Sequence, residues 1–448
     1  GLCASVVILI ATILVFYGKQ SVEAACITDN YTKNNVDVNK IAVWGVTTFA
    51  AILIFFQLHV VFPGGVINLN LADPFAIIAF AVVAAHWVFD RNLPHWRFDK
   101  MNALILVFSL LLMFGFFRGV LDIGVTQWAL AGRVIGWLVV VGYMAAGYLV
   151  VSYMGARGFR RMTEMMVSVA VVIVLFSIVQ YFLVSLGMVS RLGFEINFSG
   201  FAGNRIAFAF QMVVCSALML VYSSLRNVPD FKTAEANKII PFLLFTLMHG
   251  VILNGLFFTA SRAGLIAESL LMASVYILRL ADRRFVISTI GVAGVFWFLI
   301  QLIPGLQAQG SFSGEESIVQ HWDSIMRGIE VWLTSPIFGA GLGVFVERSV
   351  AWFGNPLVIH SVPVWFLAEF GILGAGTVLL MFILLVKFLL KSGLTSLGIR
   401  LVALLLLVFV TFGLVHDVFY QRIFWLLLGG GLAVGGIELH RSTQRRTL

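Results

Sequence analysis

The sequence predicts an all-α polytopic membrane protein of 12–13 transmembrane helices with one long external segment. Three observations carry that prediction. Of 448 residues, 60% are hydrophobic and only 11% are charged, whereas soluble domains run near 45–50% apolar and about 25% charged. Many apolar runs approach the roughly 17–25 residues that a helix needs to cross the hydrocarbon core. The runs are continuous and do not alternate with period two, which speaks against an outer-membrane barrel.

Taken in order, the apolar runs predict spans at 2–17, 41–62, 74–89, 103–117, 128–151, 167–189, 205–223, 241–259, 264–279, 286–303, 363–388, 401–415 and 423–437. The first, followed by polar "YGKQSVEAAC", has the length of a signal peptide but lacks a basic start, and it is read as a span. The net charge of +8 does not point to nucleic acid, because Lys and Arg gather in short segments between runs. "ARGFRR" (156–161), "RLADRR" (279–284), the Lys387/Lys391/Arg400 loop and the tail "HRSTQRR" (440–446) alternate to one side, which makes that side cytoplasmic. Counting back from the tail, thirteen spans put the first residue outside, one span more than an even topology allows. The cysteines, Cys3, Cys26 and Cys215, form no Cys-x-x-Cys pair, so neither a disulfide framework nor a zinc site is expected.

Residues 1–303 are thus a transmembrane region, 304–362 an external segment, and 363–448 the closing helices with a basic tail. Up to His360 the external segment holds five acidic residues and two arginines, Arg327 and Arg348, a balance that fits the outer side. Within it, "SIVQHWDSIMRGIEVWL" (317–333) spaces Ile318, Trp322, Ile325, Ile329 and Trp332 as a helical stripe, with Gln320, Asp323, Arg327 and Glu330 off it. A helix lying on the membrane surface and stopped by Pro336 is expected. "GAGLG" (339–343) looks like half a nucleotide-binding loop, but no strand precedes it, and its glycines are expected to make a tight turn.

Four charged or titratable residues need explaining. Arg262, in "FFTASRAGLIAESLL", sits between two apolar runs joined by almost nothing. It either snorkels to the interface or binds an anion, since a guanidinium presents paired donors that match phosphate oxygens. Arg205, in "FAGNRIAFAF", opens a span on the same side, where free backbone amides also favour anions; the alternative is an interfacial anchor. Arg327 on the polar stripe is a weaker candidate, and Arg191 and Arg348 are further external arginines. His360 opens "HSVPVWFLAEFGILG" at the outer mouth of a span, and histidine titrates where a general base must. No HExxH or Asp-x-Asp occurs, so no metal chemistry is indicated. His249 and His416, in or beside apolar runs, read as packed core residues, and Glu369 as structural.

His360, Ser361, nine residues, Gly371, two residues and Gly374 resemble the His-[Asn/Ser/Gln]-x9-Gly-x2-[Gly/Thr/Tyr] signature of bacterial O-antigen ligases. "SRAGLI" (261–266) resembles the family's Ser-Arg element, "RGIEVWLTSPIFGAGLGVF" (327–345) its Arg-to-Gly-x-Gly segment, and "GNR" (203–205) its Gly-Asn element. The likeness covers residues 200–375. It implies about twelve spans in an architecture like that of the membrane glycosyltransferases that use lipid-linked sugars (GT-C). It implies a multi-pass enzyme of the bacterial inner membrane, with its active site facing the periplasm. Such an enzyme transfers a glycan from undecaprenyl pyrophosphate to a lipid A–core sugar in lipopolysaccharide synthesis, with no cofactor and no nucleic-acid partner. His360 would be the base, and Arg262, Arg327 and Arg205 would hold the pyrophosphate. An O-antigen polymerase and an O-linked oligosaccharyltransferase share the superfamily's elements. From another class, a lipid or solute transporter would use Gly-rich helices such as "GGGLAVGG" (429–436) for sliding, but small residues also simply permit close packing.

Overall fold

The computed structural model describes residues 38–62, 65–89, 99–187, 198–225, 239–302, 315–394 and 396–447. The span expected at 2–17, Cys3, Cys26 and Arg191 lie outside the described residues. The chain divides into two compact units, Gly1–Gly45 and Val46–Leu448. Of the first, only 38–45 is described, as the opening turns of α1 (Val38–Leu53).

The second unit is an all-α membrane bundle with one small hairpin. The stretch expected to be a single span over 41–62 changes structure midway. After α1 the chain forms β1 (Gln57–Phe62) and β2 (Gly65–Asn70), paired antiparallel with Gln57 opposite Asn70 and Phe62 opposite Gly65. "QLHVVF" combines β-branched and aromatic residues, which suit a strand. Then follow α2 (Asp73–Phe89), α3 (Asp99–Ile123), a π-helical stretch (Trp128–Ile135) and α4 (Gly136–Ser185). Next come α5 (Arg205–Leu225), α6 (Ile239–Phe258), α7 (Arg262–Ile277) and α8 (Arg283–Gln301). The external segment supplies α9 (Glu315–Thr334) and α10 (Val344–Phe353). The chain closes with α11 (Val362–Ser392), α12 (Leu397–Gly413) and α13 (Arg422–Thr447).

Five stretches among the described residues are long and apolar enough to cross a membrane: Met101–Ile123, Trp128–Val184, Arg205–Ser223, Arg283–Gln301 and Val362–Ser392. Four shorter apolar helices, Asp73–Ala85, Phe242–Phe258, Leu397–Gly413 and Arg422–Ile437, pack among them. Large apolar side chains also cover the outside of the bundle: Leu110, Phe117, Ile287, Phe298 and Leu379 are each more than half exposed. A surface of that kind is stable against lipid and not against water.

Trp128–Val184 has 57 residues, which at about 1.5 Å per residue is more than twice the ~30 Å hydrocarbon core. It breaks at Gly155 (φ 66°, ψ −174°). "ARGFRR" is therefore not a loop: it is helical and begins the second segment, with Arg160 paired to Glu164 at 2.7 Å. The tail "HRSTQRR" is likewise helical, as the end of α13. At Gly147 and Gly429 the backbones of α4 and α13 meet directly, Gly147 against the Leu426 carbonyl and Gly429 against that of Met144. "GGGLAVGG" thus serves close packing.

Two ends of the bundle can be told apart. At one, Arg400 bonds the carbonyls of Leu394 (2.7 Å) and Leu280 (3.4 Å), bringing the 279–284 and 393–400 segments together. The other end carries the N-termini of α5, α7, α11 and α13 and the C-termini of α3 and α12, and α9 lies across it. There Phe210 of α5 meets Phe412 of α12 at 5.2 Å. A Cβ on Gly328 of α9 would lie 2.6 Å from Val364 of α11.

Candidate functional site

Three histidines converge at this second end. His360 is the second residue before α11, His321 lies on α9, and His416 lies in the turn after α12, where its amide bonds the Phe412 carbonyl at 2.8 Å. The ring centres of His321 and His360 are 4.2 Å apart, and those of His321 and His416 are 5.1 Å apart. All three are partly exposed. Burial lowers each below the usual imidazole range. His321 falls to about 4, with His360 and Arg205 adding to the effect of burial. His416 falls to about 3, with His321, His360 and Arg205 adding. His360 is lowered by burial and partly held up by the Asp417 carboxylate. At neutral pH all three rings are uncharged, the state a proton acceptor requires.

What brings His360 here is the local chain. Ser361 is the N-cap of α11 and Pro363 sits in its first turn, so the helix begins right after the histidine. Further along, α11 breaks at Gly371 (φ 62°, ψ −161°), and the "SPIFGAGLG" segment fills the break. Ile372 and Leu373 donate to the carbonyls of Pro336 and Ile337 at 2.9 and 3.3 Å. Ala340 and Gly341 donate to those of Ala368 and Glu369 at 2.8 and 3.1 Å, and Leu342 donates to Gly115 of α3 at 2.9 Å. Irregular backbone on both sides of the break is thereby hydrogen-bonded. The two glycine elements singled out in the sequence are halves of one structural joint that anchors the external segment to the helix carrying His360.

Arg205 is the first residue of α5 and half-buried, within electrostatic reach of His321 and His416. Arg262 is exposed and is the first residue of α7, whose N-cap Ser261 accepts a 3.1 Å bond from Gly264. A Cβ on Gly264 would lie 3.3 Å from Ala209. The two arginines therefore open adjacent helices at the same end, each within about a turn of that contact. Arg327 is engaged elsewhere. Its guanidinium bonds Glu330 at 2.9 Å and Asp323 at 3.4 Å and lies 5.1 Å over Phe353. Glu330 raises it above the ordinary arginine value. Six residues from His321, it points about 120° away around the helix. Arg348 ties α10 to the end of α3, bonding both the carboxylate (3.0 Å) and the carbonyl (3.1 Å) of Asp122.

The stripe expected on α9 is also rotated. Trp322 is 64% exposed, while the buried positions are Ser324, Gly328 and Val331, in register with His321. Small residues let α9 approach α11 closely, while Val319, Trp322, Met326 and Leu333 are exposed. That register, His-x2-Ser-x3-Gly, is the signal that could have found His321. The packed reading holds for His249, which is fully buried, stacks on Phe285 and lies 2.7 Å from the Ser216 hydroxyl. It does not hold for His416.

Behind the histidines lies Arg133, buried under three aromatic rings: Trp128 at 4.3 Å, Trp365 at 4.5 Å and Tyr420 at 4.9 Å. It bonds Asp417, the neighbour of His416, at 2.7 Å. Trp365 in turn donates to Glu369 at 2.7 Å. Nearby, Arg422 grips Asp73 through two bonds of 2.6 and 2.9 Å. Among the described residues, no group of His, Cys, Asp or Glu is arranged to hold a metal ion.

No protein-family model matches the chain, and no curated protein matches it.

Proposed function

We propose that the chain is a bacterial O-antigen ligase of the inner membrane, moving a glycan from undecaprenyl pyrophosphate to a lipid A–core sugar hydroxyl. The observation that carries this reading is that His360 lies 4.2 Å from His321, which the Arg205 charge reaches, while Arg262 opens the neighbouring α7 at the same end of the bundle. Such a donor brings its own leaving group, so the protein has two tasks. Arg262 and Arg205 meet the charge that grows on the leaving phosphate, and His360 takes the proton of the attacking hydroxyl. Attack from the face opposite the phosphate inverts the anomeric centre. Arg327, committed to Asp323 and Glu330, has a lesser part than its motif position implies.

The architecture supports the reading. Taking α4 as two crossings parted at Gly155, and α1 and α7 as crossings beside the other long and shorter apolar helices, gives the twelve that the resemblance implies. Such a count puts the tail on the side of the basic 279–284 and 393–400 segments, which is then cytoplasmic. The histidine end faces the periplasm, and the lipid tail of the donor stays between helices while its head reaches the site, as in a GT-C transferase.

The test is transfer by purified protein from lipid-linked glycan to lipid A–core. His360→Ala is expected to lose about 10²–10⁴-fold and Arg262→Ala about 10²–10³-fold, both with unchanged membrane insertion. Wild-type rates in His360→Ala overturn the assignment of the base. Transfer only to a growing glycan or to a protein serine reassigns the enzyme as a polymerase or an oligosaccharyltransferase.

A further inference from the structure

His321 and His416 carry no part in the mechanism just given, yet they crowd His360. We propose that His321, His416 and Arg205 form a diphosphate pocket beside His360, and that the pocket takes up a proton on His321 as the anion binds. The proposal deepens the ligase reading and rests on it for the identity of the natural ligand.

The geometry is that of an anion site held in its uncharged state. His321 has one imidazole neighbour at 4.2 Å and another at 5.1 Å. The groups facing it are Arg205 from the start of α5, His360 from the approach to α11, and His416 from the turn between α12 and α13, with Asp417 of that turn acting on His360. On its own helix, Asp323, Arg327 and Glu330 are paired with one another. Asp417 is the carboxylate of the set and is held by the buried Arg133 at 2.7 Å. The pocket therefore has one permanent cation and three rings that repel one another's protons. A diphosphate placed among them reverses that balance, because its charge favours the imidazolium form and accepts its N–H. At the α5 N-terminus the Ile206 amide is capped by the Asn204 side chain at 2.8 Å, which leaves Arg205 as the cationic group there.

His321 is better placed than His416 to receive the proton. Its neighbour Gln320 is exposed and polar, whereas the residues before His416, Leu414 and Val415, are exposed and apolar. The polar side of α9, with Gln320, Asp323 and Glu330, gives His321 a route to water. The proton comes from water or buffer, forms an N–H bond on His321 and leaves with the product diphosphate. A charged His321 beside His360 also keeps the base uncharged while the donor is bound, since two imidazolium ions at this spacing repel.

Free His321 titrates near 4. If the bound anion raises that value, linkage requires affinity to rise as pH falls. The experiment measures inorganic pyrophosphate binding to the full chain in detergent by calorimetry between pH 8 and pH 6, in buffers of small and large ionisation heat. Wild type is expected to tighten relative to His321→Ala by about threefold or more over this range, with proton uptake larger in wild type. His321→Lys, permanently charged, should bind well and lose the pH dependence, which a packing role of the ring would not produce. It also serves if His321→Ala fails to fold. A wild-type to His321→Ala ratio that is the same at every pH overturns the proposal, and so does wild type that binds no pyrophosphate at pH 6. A second arm uses a short polyprenyl pyrophosphate. Tighter binding there assigns the site to a lipid headgroup, and equal binding assigns it to the diphosphate alone. Binding as expected without glycan transfer leaves the pocket standing and removes the ligase reading.

Discussion

Asp417 has two neighbours that pull on it in different ways. It neutralises the caged Arg133 at 2.7 Å, and its charge works against burial to hold the His360 ring up. Asp417→Asn keeps the shape and removes the charge. A buried arginine without its carboxylate costs about 3–5 kcal/mol, so a large fall in melting temperature is expected. Adding Arg133→Met should recover part of it, because the orphaned charge is then gone. The catalytic consequence has a definite sign. A base works only above its pKa, so transfer falls as pH drops through the His360 value. Without Asp417 that value moves lower, and the acid limb of the rate profile should move to lower pH in Asp417→Asn. A limb that stays in place would mean that Asp417 does not act on the base. None of this pairing was legible in the sequence. Arg133 is one charge in an apolar run, and its partner lies 417 − 133 = 284 positions away. Asp73 and Arg422 are 349 apart. His360 was legible because its own segment carries both the titrating ring and the helix start.

At the level of elements, the break in α11 is the joint on which the external segment hangs. Gly371 has positive φ, and a Cβ there would run into the carbonyl of Ile337. Gly371→Ala should therefore cost at least about 1–3 kcal/mol, read as a lower melting temperature and faster proteolysis of 335–343. Gly376, in the same helix, has open space around it and ordinary φ. Gly376→Ala is expected to be neutral or to stabilise by up to about 1 kcal/mol, and equal losses at both sites would dismiss the joint. Sequence periodicity located α11 and α9 but missed what they do to each other. The α9 stripe, from Ile318 to Trp332, followed the large apolar residues, which is the right rule against water. In a chain bathed in lipid a residue such as Trp322 lies outward, and the packed face is made of Ser324, Gly328 and His321. Equally, "ARGFRR" reads as a loop by charge, yet a helix tolerates that charge where Arg160 meets Glu164 one turn on.

For the molecule as a whole, composition sufficed for the class, because a chain this apolar has no other solvent. Topology is harder, since it turns on the parity of the crossings, and parity rests on α4. Reading it as two crossings separated at Gly155 gives twelve from α1 onward and opposite exposure for the two ends of the bundle. Single cysteines in a background lacking the native three test this directly. Val125 and Asn355 lie in exposed turns at the histidine end, while Arg279 and Lys391 are exposed at the other. In intact cells whose outer membrane has been made permeable, an impermeant maleimide should label Val125→Cys and Asn355→Cys. Arg279→Cys and Lys391→Cys should react only after the inner membrane is opened. The reverse pattern would put the histidines and arginines in the cytoplasm, where a base and an anion pocket would meet nucleotide-linked donors, and the ligase reading would be lost. If Val125→Cys and Asn355→Cys label from opposite sides, α4 does not cross twice, and the count must be redone from that helix.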